Sequence, residues 1–275
     1  MTSEAEDKEL IEILGNASAE EKIPLVDYIT NNGKGRISLS TESLTKLVST
    51  KAAGQFSSSI DTLIIKEIKL FGGNSLVNLL RFGKGVSYQD VVYDVASKLG
   101  AKTSSSDSCE TMEKAILSKV IEKAWDKMSP EERAQLGKSM HIPAKGGVTL
   151  AAILAAAELG GFGTYQLALL VANTIARQIL GRGLALGANA ALMESMGVLI
   201  GPIGWALTAL WIAVGLAGPA YRVTVPCVIH IAYLRQKNAM SKHKVCPEGH
   251  VQTDPDAKFC STCGAPIGAP RLRNS

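Results

Sequence analysis

Residues 147–221 carry four charges in all: Glu158, Arg177, Arg182 and Glu194. A stretch this long and this apolar has to be hidden, in a protein core or in a membrane. Each Å² of apolar surface left in water forgoes roughly 25 cal/mol. The rest of the chain must be built round that demand. Residues 1–146 hold 19 Lys+Arg against 20 Asp+Glu, and residues 222–275 hold eight basic and three acidic residues. The order is a charged half, an apolar stretch and a basic tail. Hydrophobic residues make up 46% of the chain, which speaks against wholesale disorder. Aromatics are only 5%, so Ala, Leu, Ile and Val must fill the core. The first residues, MTSEAEDKEL, are acidic and have no apolar run, so no secretory signal is expected. In a chain that is not secreted, five cysteines are poor evidence for disulfides, and the three that cluster near the C-terminus favour metal.

The charged half reads as helices. Ser18-Ala19-Glu20-Glu21 fits a capping box, in which the Ser oxygen accepts a backbone N–H and the Glu reaches back. Ser129-Pro130-Glu131-Glu132 adds a proline where no N–H is needed and acids that face the helix dipole. Asp107-Ser108-Cys109-Glu110 is a third start, and Cys109 is expected to sit in a Ser-rich linker. Ile60, Ile64 and Ile68 share a helical face with Leu63 and Leu70, as do Val91, Val92, Val95 and Leu99. Breakers fall at Asn31 to Gly35, Gly72-Gly73-Asn74, Gly83-Lys84-Gly85 and Lys102 to Ser108. About six short helices are expected before residue 146, and no strand before residue 245.

Within the apolar stretch, Ser195 to Tyr221 has no charge and contains Trp205 and Trp211. It exceeds the ~20 residues that cross a bilayer as a helix. Gly201, Pro202, Gly204, Gly215, Gly218 and Pro219 interrupt it. Gly201-Pro202 is expected to turn into a helix of about 14 residues ending near Gly215. Residues 164–217 then form either a buried core element, close-packed through Gly and Ala, or a hairpin that leaves a soluble bundle for a membrane, with a constitutive transmembrane segment as a third alternative. A helix from about Arg222 to Met240 follows. Its flank of Arg222, Arg235, Lys237, Lys242 and Lys244 suits an anionic membrane face or an ordinary solvated helix end.

The C-terminal end carries the sharpest motif. Cys246-Pro247-Glu248-Gly249-His250 is followed, nine residues on, by Cys260-Ser261-Thr262-Cys263-Gly264. Each half offers two ligands on one tight turn, with Pro247 and Gly249 making the first reversal and Gly264 the exit from the second. Two such turns facing each other close a tetrahedral structural zinc site. The expected ligands are Cys246, His250, Cys260 and Cys263, around one Zn2+ ion. His243 is an alternative to His250. Residues 251–259 should form a short hairpin turning at Asp254-Pro255. So small a module has almost no apolar core, so the metal supplies its folding energy. Lys258-Phe259-Cys260-Ser261-Thr262-Cys263-Gly264 resembles the C-terminal knuckle of zinc ribbons, which implies a module for binding protein or nucleic acid.

No catalytic pattern survives its context. A closed four-ligand site leaves no position for a zinc-bound water. Gly181-Arg182-Gly183-Leu184-Ala185-Leu186-Gly187 misses the dinucleotide fingerprint by one residue and follows no strand. Asn78 stands where a phosphate loop ending at Gly83-Lys84 needs glycine. His141 and His230 have no local partner, and Cys227 on an apolar helix is expected to be inert. Lys242, Lys244, Arg271 and Arg273 are too few for strong nucleic-acid binding.

Three blocks of the helical body, which together resemble one bacterial family, stand out in order. The first runs from Phe71-Gly72-Gly73-Asn74-Ser75 to Leu80-Arg81, with Tyr88 and Asp94-Val95 beyond it. The second is Trp125-Asp126-Lys127-Met128. The third is Ala220-Tyr221-Arg222-Val223-Thr224-Val225-Pro226, continuing as Ile231-Ala232-Tyr233-Leu234-Arg235. These blocks resemble the bacterial YaaW family, and the likeness covers most of residues 8–238. It implies a helical, non-catalytic protein, distantly grouped with ubiquinol–cytochrome c assembly chaperones, and brings no active site. In the first block a helix should end on a left-handed glycine, with a new N-cap at Asn74 or Ser75. Arg81 should pair with Asp90 or Asp94.

The expected fold is mainly α: a multi-helix bundle with a buried or membrane-inserting hydrophobic hairpin, plus a small C-terminal zinc ribbon. Its divisions are residues 1–146, 147–240 and 241–275. The leading functional expectation is a non-enzymatic, membrane-active protein whose hairpin inserts into or permeabilises a membrane, cytoplasmic or at the inner membrane, with a protein partner on the zinc ribbon. The alternative is a soluble, chaperone-like adaptor that binds a protein client.

Overall fold

The computed structural model describes residues 3–73, 86–140, 142, 147–159, 161–184, 197–213, 220–241, 244–246, 251–252, 257–261 and 263–267. Among the described residues seven helices precede the apolar stretch: α1 (Ser3–Gly15), α2 (Ala19–Thr30), α3 (Thr41–Ala53), α4 (Ser58–Gly72), α5 (Tyr88–Leu99), α6 (Cys109–Trp125) and α7 (Pro130–Ser139). The expectation was about six. Then come α8 (Leu150–Leu159), α9 (Phe162–Leu180), a 3-10 turn (Gly197–Leu199), α10 (Ile200–Ala213) and α11 (Tyr221–Ser241). Two short strands follow among the described residues, β1 (Lys244–Val245) and β2 (Val251–Gln252).

The helix starts are set by local chemistry. Ser18, Ser87 and Ser129 each accept a hydrogen bond from the backbone N–H three residues on, and Glu21, Asp90 and Glu132 reach back to complete capping boxes. Ser108 caps α6 through the Thr111 N–H. Cys109 is therefore the first residue of a helix and is buried, not part of the Ser-rich linker.

The end of α4 differs from expectation. Its C-cap, Gly73, is right-handed, with φ −83° and ψ −4°. Glycine serves a different purpose here: a Cβ on Gly72 would stand 2.4 Å from Val91 Cγ2. Its absence lets the end of α4 lie directly against α5. Asn74, Ser75 and Arg81 lie outside the described residues. Asp90 is engaged in the α5 cap, where Ser87 N donates to its Oδ2 at 3.1 Å.

The bundle is built round its last helix. Residues 223–234 of α11 are all buried, and α11 packs on α9, α2, α6, α4, α5 and α1. One continuous apolar core runs from Leu10 to Met240 and includes the fully buried Tyr28, Tyr88 and Tyr233. In α9, residues 164–176 are buried without a gap, so the first arm of the expected hairpin is core. Helices α8 and α10 both lie against α6 and α9. The uncharged run after Ser195 is not one rod. Helix α10 is 14 residues long, as the sequence suggests, but Gly201 and Pro202 sit in its first turn rather than before it. Among the described residues no single helix is long and apolar enough to cross a membrane, and α8 and α9 meet at a bend of 103°.

Candidate functional site

The C-terminal module assembles round its cysteines. β1 and β2 pair antiparallel, Lys244 opposite Gln252 and Val245 opposite Val251, and so clip together the two ends of the first knuckle. The second knuckle is clipped by the bridge between Phe259 and Pro266. Within it, Cys260 N donates to Ala265 O and Gly264 N to Cys260 O, both at 2.8 Å. Gly264 takes φ +73°, which only glycine adopts without strain. Cys263 N points at Cys260 Sγ at 3.4 Å, the N–H to sulfur contact expected of a thiolate-holding turn.

These turns bring three sulfurs together. The Sγ atoms of Cys246, Cys260 and Cys263 all lie within 4.8 Å of one another, and those of Cys246 and Cys263 are 3.7 Å apart. Four ligands at the usual Zn–S distance of ~2.3 Å, set tetrahedrally, stand about 3.8 Å apart. The spacing is right for a metal and too long for a disulfide, which needs about 2.05 Å. The donor set fits zinc: soft sulfurs with no electron-transfer requirement. The only apolar support among the described residues is Ile267, with Ala257 against it. His250, His243 and the expected turn at Asp254-Pro255 lie outside the described residues.

A second constellation, unread in the sequence, sits inside the bundle along α11. Arg235 Nε donates to Glu113 Oε2 at 2.7 Å and its NH2 donates to Oε1 at 3.2 Å. Its NH1 pairs with Glu9, and the Tyr88 hydroxyl donates to Glu113 Oε1 at 2.9 Å. Burial opposes the guanidinium charge, but Glu113 and Glu9 beside it hold Arg235 firmly protonated. One turn away, Glu21 accepts from the Tyr233 hydroxyl at 2.8 Å and from Lys237 Nζ at 2.6 Å. Burial pushes the Glu21 carboxyl up, yet Lys237 and the Ser18 N–H together carry it below its ordinary value. Arg235 and Lys237 are thus internal counter-ions and neither a membrane flank nor a solvated helix end, whereas Arg222 is exposed.

His230 is fully buried. Its Nε2 donates to the Glu21 carbonyl at 2.7 Å, while Nδ1 has no hydrogen-bond partner. The rings of Tyr233 and Tyr28 meet it edge-on at 5.7 Å and 6.2 Å. Burial drives its pKa down to about 4, so the ring is neutral. Burial likewise pushes the thiols of Cys227 and Cys109 up, Cys109 to about 12, so neither is a nucleophile at neutral pH. A buried network so fully committed to counter-ions has the character of structure. His141 lies outside the described residues.

The surface holds the remaining candidate. Leu159 at the end of α8 is 86% exposed, Val198 60%, Trp205 46% and Ile212 78%. All four come from the charge-poor stretch that the sequence marks for burial. Its other face is buried: Ile203, Ala206, Leu207 and Leu210 belong to the core. The apolar periodicity of α10 was invisible in the sequence because its outer residues are as uncharged as its inner ones.

The comparisons with known proteins bear on the helical body. A family model described as ubiquinol–cytochrome C chaperone matches residues 58–229. A UPF0174 protein of Helicobacter pylori strain J99 is 36% identical over 200 residues, covering 71% of this chain and 79% of its own. Another from the same strain is 33% identical over 204 residues, 71% of this chain and 97% of its own. The UPF0174 protein YaaW of Escherichia coli K12 is 28% identical over 233 residues, 82% of this chain and 93% of its own. No solved structure matches. The zinc-ribbon-like module begins beyond the matched 58–229 span, and the helical chain that precedes it belongs to the UPF0174/YaaW family, within the ubiquinol–cytochrome C chaperone grouping.

Proposed function

We propose that the protein is a chaperone-like adaptor. Its helical body holds a protein client, and the C-terminal module serves as a second docking point. The observation that carries this reading is the uncovered apolar surface of α8 and α10, fixed to a core that is itself locked by buried ion pairs. Large exposed apolar patches on an otherwise well-packed domain mark interaction surfaces. The family's chaperone description supports a binding role over catalysis, and the unbroken burial of residues 164–176 of α9 supports core packing over a span. The test is suppression of aggregation of a thermally unfolded test protein, followed by light scattering with the full-length chain present. Suppression near equimolar ratio is expected, weakened by Ile212→Glu. No suppression at tenfold excess overturns the reading.

For the module, the proposed ligands are Cys246, His250, Cys260 and Cys263 round a single zinc ion that acts structurally. Bound zinc would supply the folding energy that Ile267 and Ala257 alone do not. Elemental analysis of the purified chain should find one zinc per chain, lost in Cys260→Ser. Chelation should collapse the amide dispersion of residues 244–267 and leave the helical body intact. Absence of zinc, or an unchanged module after chelation, overturns the assignment.

A further inference from the structure

Helix α10 and the turn before it set their exposed residues in one line. From residue 197 to residue 212 these are Val198, Gly201, Trp205, Thr208 and Ile212. Spacings of three and four residues place all five on one helical face. None carries a charge, whereas the outer face of a globular helix is ordinarily charged or polar. The one hydroxyl is already used: Thr208 Oγ1 donates to Gly204 O at 2.9 Å and accepts from Gln178 Nε2 at 3.2 Å.

The charge beside the Val198 end of this stripe is acidic. A cleft of about 520 Å³ opens between Val198 and the start of α7, lined otherwise by Ser129, Glu131, Glu132 and Gln135. Among the described residues that line it are two carboxylates and no cation. Glu132 Oε2 accepts from Ser129 N at 2.7 Å, and Glu131 is exposed. The nearby Lys127 folds its ammonium over the Trp205 ring, 4.7 Å from the centroid.

We propose, resting on the client-binding reading above, that this stripe seats an amphipathic helix of a partner protein. That helix carries apolar residues at spacings of three and four, and lysine or arginine at the end that meets Glu131 and Glu132. Spacings of three and four are those by which paired helices interlock. The stripe runs about 21 Å at 1.5 Å per residue, enough for four turns of a partner. Gly201 leaves room for a side chain to enter. Anionic headgroups would be repelled by Glu131 and Glu132, which sets a lipid surface behind a basic helix. Among the described residues, a second copy of this stripe brings only Lys127, which is already held over Trp205.

The probe is a fluorescein-labelled helix of about 18 residues, leucine at the three–four positions and lysine elsewhere, titrated with the full-length chain and read by anisotropy. A counterpart with glutamate for lysine, and phosphatidylglycerol vesicles, are run beside it. The lysine peptide should bind and the glutamate peptide should not. Glu131→Lys should weaken binding about tenfold, and Ile212→Glu should abolish it. Ile37→Glu, at an exposed isoleucine outside the stripe, should change nothing. The proposal is overturned by equal binding of both peptides, by insensitivity to Ile212→Glu, or by vesicle binding without peptide binding. Self-association that Ile212→Glu abolishes, without peptide binding, also overturns it. If aggregation suppression persists while the lysine peptide fails to bind, only the stripe assignment falls. If suppression fails, the client-binding reading falls whatever the peptide does.

Discussion

Protonating His230 should unfold this protein from its centre. The ring is fully buried against Tyr28 and Tyr233, with Nε2 on the Glu21 carbonyl and Nδ1 facing no acceptor. Its pKa falls from 6.5 to about 4, with burial as the main cause; the Glu21 carbonyl and carboxylate oppose the fall without reversing it. A depressed folded pKa means that the unfolded chain takes up the proton first. The stability from keeping this ring neutral is complete above pH 6.5 and is lost as pH falls from there to about 4. At 1.36 kcal/mol per pH unit the loss totals roughly 3 kcal/mol, a large share of the ~5–15 kcal/mol that holds a domain together. Glu21 contributes later, because its lowered carboxyl gives up its stabilisation only below 4.5. The assay is urea unfolding at half-unit steps from pH 7 to pH 4.5, with His230→Gln as the comparison, since Gln keeps a donor for the Glu21 carbonyl and cannot titrate. The wild-type midpoint should fall steadily across that window, and the variant should lose much less. Parallel curves for the two proteins, or a His230 resonance titrating near 6.5, would refute the reasoning.

Arg235→Leu strands the Glu113 carboxylate in the core with only Tyr88 for company and should cost about 3–5 kcal/mol in urea unfolding. Arg235→Leu combined with Glu113→Leu should recover much of that loss; a double variant as unstable as the single would show that the charge is not what matters. Gly72→Ala pushes a methyl into Val91 and should cost about 1–3 kcal/mol. Adding Val91→Ala should cost less than the sum of the two single changes, a coupling that a double-mutant cycle reads directly.

What the chain discloses in one dimension depends on how far apart the interacting groups are. Ser18 with Glu21 and Ser129 with Glu132 could be read outright because each cap lies within four residues. The cysteine turns were legible for the same reason: the ligands of a knuckle are neighbours, and only the pairing of two knuckles is long-range. Arg235 could not be matched to Glu113, 122 residues away, and so read as part of a basic flank. Gly72 was read as a turn former because the close approach of Val91, across the gap between α4 and α5, leaves no mark nearby. The sidedness of α10 escaped for a different reason. Periodicity needs contrast between faces, and Trp205 and Ile212 outside look like Ile203 and Leu210 inside.

The claim that the helical body holds a client on α10 is tested most directly by photocrosslinking in the living cell. A benzophenone side chain is placed at position 212, and separately at position 37, which is just as apolar and more exposed. The account predicts a discrete protein adduct from position 212, lost when Trp205→Glu is added, and none from position 37. The same adducts from both positions, or none from position 212, would contradict it.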